Sequence, residues 1–152
     1  MFPDTNRRVA NNTCEHVNRK IREQTRKNIT QYSNAGAELI TARLKVLDSE
    51  WDVERTLEAN AASFALGGLI LGATVDRKWF IFPGVVAAFL LQHAIQGWCP
   101  PLPVLRRLGI RTSAEIDEER YALKALRGDF DRVAQNRQNV VNVQEVLNAA
   151  MQ

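Results

Sequence analysis

Cysteine, histidine and methionine are scarce in this chain, with two of each among 152 residues. Cys14 and Cys99 stand 85 positions apart, and neither belongs to a Cys-x-x-Cys pair or a Cys/His ladder. That spacing excludes a disulfide framework and a Cys/His zinc site, and it suits a reducing compartment. Also missing are a P-loop, a dinucleotide fingerprint and any Ser/His/Asp set. No metal and no cofactor are expected, and nothing in the residues points to an enzyme. The opening MFPDTNRRVANN has no apolar core after its arginines, so no cleavable signal peptide is expected. Residues 1–30 carry seven Lys/Arg against three acids. They lack the interleaved aromatics that nucleic-acid binding would use, so they read as a solvated face or a contact to anionic lipid.

The most telling absence is of charge in the middle of the chain. Between residues 59 and 98 the charged side chains are Asp76, Arg77 and Lys78. Ala59–Val75 is an uncharged run of 17 residues and Trp79–Trp98 one of 20. At 1.5 Å per residue they reach about 26 Å and about 30 Å, against a hydrocarbon core of about 30 Å. Trp79 and Trp98 bracket the second run at headgroup level. The linker Asp76-Arg77-Lys78 permits a tight turn, so the two runs predict an all-α fold built on a transmembrane helical hairpin. A buried hairpin in a soluble helical bundle is the alternative. Arg43, Lys45, Arg55, Arg106, Arg107 and Arg111 flank the arm side, which places both arms in the cytoplasm by the positive-inside bias.

Three regions follow: an N-terminal amphipathic helical arm (1–50), the hairpin with an interfacial segment (51–113), and a C-terminal helical arm (114–152). In the first arm, Asn12 with Glu15 has the spacing of a capping box. Ile40, Leu44, Leu47 and Trp51 step by four, three and four, a stripe suited to a partner helix. Ser49 with Asp52 marks a second helix start. Within the hairpin, Gly68-x-x-x-Gly72 lets helix backbones approach closely. Asn60, Gln92 and Gln96 lie at one depth, and a hydrogen bond between the runs accounts for them.

Gln96-Gly-Trp-Cys-Pro-Pro closes the second run. Pro100, Pro101 and Pro103 stop the helix, and a short segment ended by Gly109 sets Val104, Leu105 and Leu108 against Arg106 and Arg107. That pattern suits the membrane interface, with Trp79, Trp98, Arg106 and Arg107 as anchors. Thr112 with Glu115 caps the next helix, Gly128 ends it, and a last helix is expected from Phe130 to Ala150 with Val133, Val140 and Leu147 on one stripe. Gln92, Gln96 and Cys99 would share one helix face, with His93 on another. Cys99 is the thiol candidate, and nearby arginines would favour its thiolate if the chain folds back. An interfacial, unreactive cysteine is the simpler reading.

These same residues carry a resemblance. Cys99-Pro100, Leu108-Gly109-Ile110-x-Thr112 and the Glu54-Arg55 pair before the first run are similar to the pattern of the YgaP-like inner-membrane domain family, over about residues 51–113. The resemblance implies a bacterial inner-membrane hairpin that dimerises through its spans, sometimes beside rhodanese-type sulfurtransferases. Ser113 stands where the family often has a second cysteine, and no rhodanese domain is present, so sulfurtransferase activity does not carry over. The expected function is therefore a non-enzymatic module for self-association or partner docking. Its partners would be membrane lipid and either a second copy (a dimer or higher homo-oligomer) or another membrane protein. The alternative is a thiol or persulfide relay through Cys99, served by a separate sulfurtransferase.

Overall fold

The computed structural model describes residues 4–131, 148 and 151, and no strand occurs among them. Seven α-helices follow in order: α1 (Arg8–Asn11), α2 (Glu15–Tyr32), α3 (Ala37–Ser49), α4 (Val53–Thr74), α5 (Ile81–Gln96), α6 (Leu102–Arg107) and α7 (Ser113–Arg127). A 3₁₀ turn, Arg77–Phe80, joins α4 to α5. The last helix expected from the sequence, Phe130 to Ala150, lies almost entirely outside the described residues.

The chain divides into two compact units, and neither is contiguous in sequence. The first takes residues up to Arg22 and Trp51–Ala114; the second takes Glu23–Glu50 and the residues from Glu115 on.

In the first unit, α4 starts where Asp52 accepts a hydrogen bond from the Arg55 N–H at 2.8 Å. The Val53 N–H, an orphan donor at a helix start, is taken by the Arg111 carbonyl at 2.9 Å. Ser49, the start expected from sequence, instead turns its hydroxyl back onto the Val46 carbonyl. The start lies three residues later because only Asp52 stands at the extended residue before the helix. After the turn, α5 runs back along α4. Phe64 meets Phe82 edge-on with ring centroids 6.5 Å apart. A Cβ on Gly68 would fall 2.8 Å from the Pro83 ring, and one on Gly72 would fall 2.8 Å from Phe80. The Gly68-x-x-x-Gly72 face is thus filled by the 3₁₀ turn and the start of α5 of the same chain. Replacing Gly68 by isoleucine should pry α4 from α5 and lower the thermal midpoint in detergent by several degrees, at about 1–3 kcal/mol of overpacking. An unchanged midpoint would show that this approach carries no weight.

At the far end of this pair lies a small core of Val9, Val53, Leu57, Cys99 and Leu102. Helix α1 closes it. Asn12 does not cap α2; its amide donates to the Arg8 and Gln96 carbonyls, both at 2.8 Å. Arg106 is likewise not at the surface, being 1% exposed. Its guanidinium donates to Thr13 Oγ1 (3.2 Å), Asn18 Oδ1 (3.1 Å) and the Ile110 carbonyl (3.0 Å). Its planar fork fits several fixed acceptors at once, which an exposed position would not supply. Arg107, its neighbour, is exposed.

The second unit is built on the stripe Ile40, Leu44 and Leu47, which packs with Ile116 and Leu123 of α7. The helix expected to receive that stripe is therefore one of this chain's own. Trp51 leaves the stripe and belongs to the first unit, with the Arg55 guanidinium 4.5 Å over its ring. The expected N-terminal helix is interrupted at Ser33–Gly36, between α2 and α3. Glu119, wholly buried, bonds Arg43 Nε at 2.8 Å and Asn28 Nδ2 at 3.1 Å. Arg127 grips Asp129 through two N–H groups at 2.8 and 2.6 Å, and those bonds hold its carboxyl below the usual carboxylate range. Stability from this clasp is full above the ordinary carboxylate pKa and is lost as pH falls through the lowered one.

Two segments, one ending at Thr74 and the other Arg77–Gln96, are long and apolar enough to cross a membrane.

Candidate functional site

The first unit gathers four chemically capable side chains from three stretches of the sequence: Arg8, Glu54, and His93 with Cys99. Their meeting depends on how α5 ends. Gly97 adopts the left-handed conformation (φ 74°), and its N–H closes the helix on the His93 carbonyl at 2.7 Å. Such a residue is the common device for reversing a chain at a helix C-terminus. Pro100 and Pro101 then keep the chain out of helix until α6 begins, and the Leu102 N–H bonds the Cys99 carbonyl at 3.1 Å. The outcome corrects the expectation that Cys99 continues the face of Gln92 and Gln96. The helix stops at Gln96, and Cys99 swings inward until it is 3% exposed.

There the thiol interacts with the His93 imidazole, itself 2% exposed. His93 Nε2 lies 2.9 Å from Glu54 Oε2. The other carboxylate oxygen, Oε1, accepts from Arg8 Nη2 at 2.9 Å. Glu54 is thus fixed at both oxygens in the first turn of α4. In its neutral form, a ring that donates Nε2–H to a carboxylate carries its lone pair on Nδ1. His93 Nδ1 is buried and has no aligned hydrogen-bond partner. The thiol interacts with the ring, and no hydrogen bond to that nitrogen is formed. Loose geometry of this sort is usual for a nucleophile and base before substrate arrives.

One face of the pair opens on a cleft of about 410 Å³ between α4, α5 and α6. His93 and Cys99 sit on its wall among Leu57, Phe64, Phe89 and Leu105. In such surroundings an ionic hydrogen bond is stronger than in water, because few other dipoles compete for it.

The other residues singled out from sequence lie elsewhere. Asn60 also lines the cleft, but its amide donates to the Thr56 carbonyl of its own helix at 2.7 Å. Gln92 is half-buried, and Gln96 offers its carbonyl to Asn12. Trp79 and Trp98 are exposed, at opposite ends of the second apolar segment. Cys14, just before α2, and His16, in its first turn, are exposed, and neither joins the cluster. Among the described residues no group of three His, Cys, Asp or Glu side chains is arranged to hold a metal ion.

Sequence reading missed Arg8, Glu54 and His93 as partners of Cys99. Glu54 entered only as half of a pair with Arg55, and Arg55 points instead to Trp51. One signal was present: an acid one turn before a charge-free run needs a partner, because a carboxylate is costly to bury alone. Comparison with family models, with curated proteins and with solved structures finds no match for this chain.

Proposed function

We propose that this chain is an integral membrane protein that holds a nucleophilic cysteine at the cytoplasmic boundary of the bilayer. Cys99 is the nucleophile, His93 its base, and Glu54, steadied by Arg8, the group that orients the imidazole. The observation that carries this reading is the 2.9 Å bond from His93 Nε2 to Glu54 beside a buried thiol. A histidine held in this way takes the thiol proton, and the carboxylate stabilises the imidazolium that forms. Arg8 and Glu54 are positioning residues; they act through His93.

Membrane insertion is supported by the character of the two apolar segments. Their most apolar windows are only 17% and 6% buried, whereas a core helix of a soluble bundle would be mostly covered. Phe64, Leu66, Ile70, Ile81 and Leu91 are all more than half exposed, as a lipid face requires. The arms carry more flanking positive charge than the turn, which favours a cytoplasmic location for both and for the thiol site beside them. Membership of the YgaP-like family belongs to the same proposal, resting on Cys99-Pro100 and Leu108-Gly109-Ile110-x-Thr112. Persulfide relay remains one use of such a thiol.

The test is alkylation in phospholipid nanodiscs at neutral pH, read separately at Cys99 and Cys14. His93→Gln should slow modification of Cys99 by about a hundredfold and leave Cys14 unchanged. Glu54→Gln should slow it less at neutral pH and leave the rate in strong alkali unaltered. Equal Cys99 rates in the parent and His93→Gln proteins, with matching circular dichroism, would refute the thiol reading. Release of the protein from membranes by carbonate would refute the membrane reading.

A non-enzymatic self-association or docking module is the second reading, favoured by the exposed apolar side chains of α4 and α5, which a second copy would cover as well as lipid does. Cross-linking in native membranes should then yield a dimer; monomer alone would remove it.

A further inference from the structure

The cleft beside Cys99 says what kind of molecule reaches the thiol. We propose that it receives an acyl chain, and that Cys99 accepts the acyl group of a long-chain thioester. The inference rests on the thiol reading above and narrows its substrate class.

Two observations carry it. The cleft, about 410 Å³, falls within the usual size range of small-molecule sites. Apart from Asn60, His93 and Cys99 its lining is apolar, with Leu57, Ala61, Phe64, Val86, Phe89 and Leu90 prominent. A polar carrier would lose its hydration there and regain little, since the amide of Asn60 is bound to the Thr56 carbonyl and the rest of the lining outside the His93–Cys99 pair is apolar. A hydrocarbon chain loses nothing by entering. Second, the reactive pair stands in the wall of the cleft, and the walls formed by Phe64, Phe89 and Val104 are themselves substantially exposed. These are side chains of the two apolar segments and of α6, so the cleft opens on the side where a bilayer would lie. An acyl chain entering from lipid would bring its thioester carbonyl to the sulfur.

The chemistry balances without an oxidant or reductant. His93 takes the proton from Cys99 Sγ, and the thiolate adds to the carbonyl carbon of the donor thioester. The new C–S bond forms, the donor's C–S bond breaks, and the departing thiolate takes the proton back from His93. One thioester is exchanged for another.

The experiment uses the full chain in phospholipid nanodiscs, incubated with palmitoyl-CoA or with acetyl-CoA. Intact mass and site mapping follow, with hydroxylamine release identifying a thioester. Exposed Cys14 is the internal reference for uncatalysed acylation. Palmitoyl transfer to Cys99 should exceed transfer to Cys14, and should exceed acetyl transfer to Cys99 by about tenfold or more, the scale on which apolar pockets sort chain length. Cys99→Ser should abolish it, and Ala61→Phe, which fills the cleft, should erase the chain-length preference. Rapid alkylation of Cys99 without palmitoyl transfer, or equal rates for the two donors, would overturn the acyl proposal and leave the thiol reading standing. A Cys99 inert to both reagents would overturn both.

Discussion

Gly97→Ala should cost the first unit about 2–5 kcal/mol, the sum of a left-handed backbone for an L-residue and an overpacked contact. The conformational part follows from φ 74°. The steric part is larger than at any ordinary helix end. A Cβ there would lie 2.6 Å from the Arg8 carbonyl carbon and 2.7 Å from Arg8 Cβ. Backbone cannot yield as a side chain does, so α1 must back away. Moving it breaks the Asn12 bond to the Gln96 carbonyl and the Arg8 bond to Glu54. Stability and thiol reactivity should therefore fall together. Gly109→Ala supplies the control. It has φ 88° but nothing within 4 Å of the added carbon, so it should cost only the conformational part, about 1–2 kcal/mol. Denaturation in detergent, with Cys99 alkylation followed in parallel, measures both. Equal losses for the two variants would show that the approach of α1 to Gly97 is not tight.

Glu119→Ala should be as damaging to the second unit, at about 3–5 kcal/mol, the scale for removing one partner of a buried ion pair. Glu119 is 0% exposed, and its two oxygens are shared between Arg43 and Asn28. Truncation leaves a largely covered guanidinium and a half-buried amide facing a void. Coulomb attraction alone is not the source of the loss; the desolvated remainder is. The double variant Glu119→Leu with Arg43→Leu should therefore be less destabilised than Glu119→Ala alone, since the Arg43 guanidinium is no longer stranded. Thermal unfolding of the three proteins decides it. A double variant worse than the single one would mean that the pair itself, rather than its desolvation, stabilises the fold.

Helical structure was legible because its signals are local: charge-free runs long enough to span, Gly109 and Gly128 at helix ends, apolar spacing in Ile40, Leu44 and Leu47. Where a boundary slipped, two capping residues competed within one turn, as at Ser49 and Asp52. The candidate site was barely legible. Cys99 stood out by its prolines, but its partners lie at positions 8, 54 and 93, on three helices, and no spacing rule links them. The decisive residue was Gly97, which a helical count runs straight through. Counting Cys99 as a continuation of α5 puts it away from His93; one left-handed residue brings the two together. Arg106 was misplaced for a related reason. An arginine beside leucines on a short helix looks like an interfacial anchor until Thr13, before α2, and Asn18, within it, are known to supply acceptors.

The interleaving of the two units bears on how the protein is made. Ile40, Leu44 and Leu47 leave the ribosome about 70 residues before Ile116, the first apolar partner from α7. At synthesis rates of about 5–20 residues per second, that apolar stripe waits for some seconds without its cover. Val53 and Leu57 wait likewise for Cys99 and Leu102. Both cores are completed only by the C-terminal half of the chain. A translation product truncated shortly after the second apolar segment would hold two unfinished cores, and it should be a ready client for chaperones and proteases.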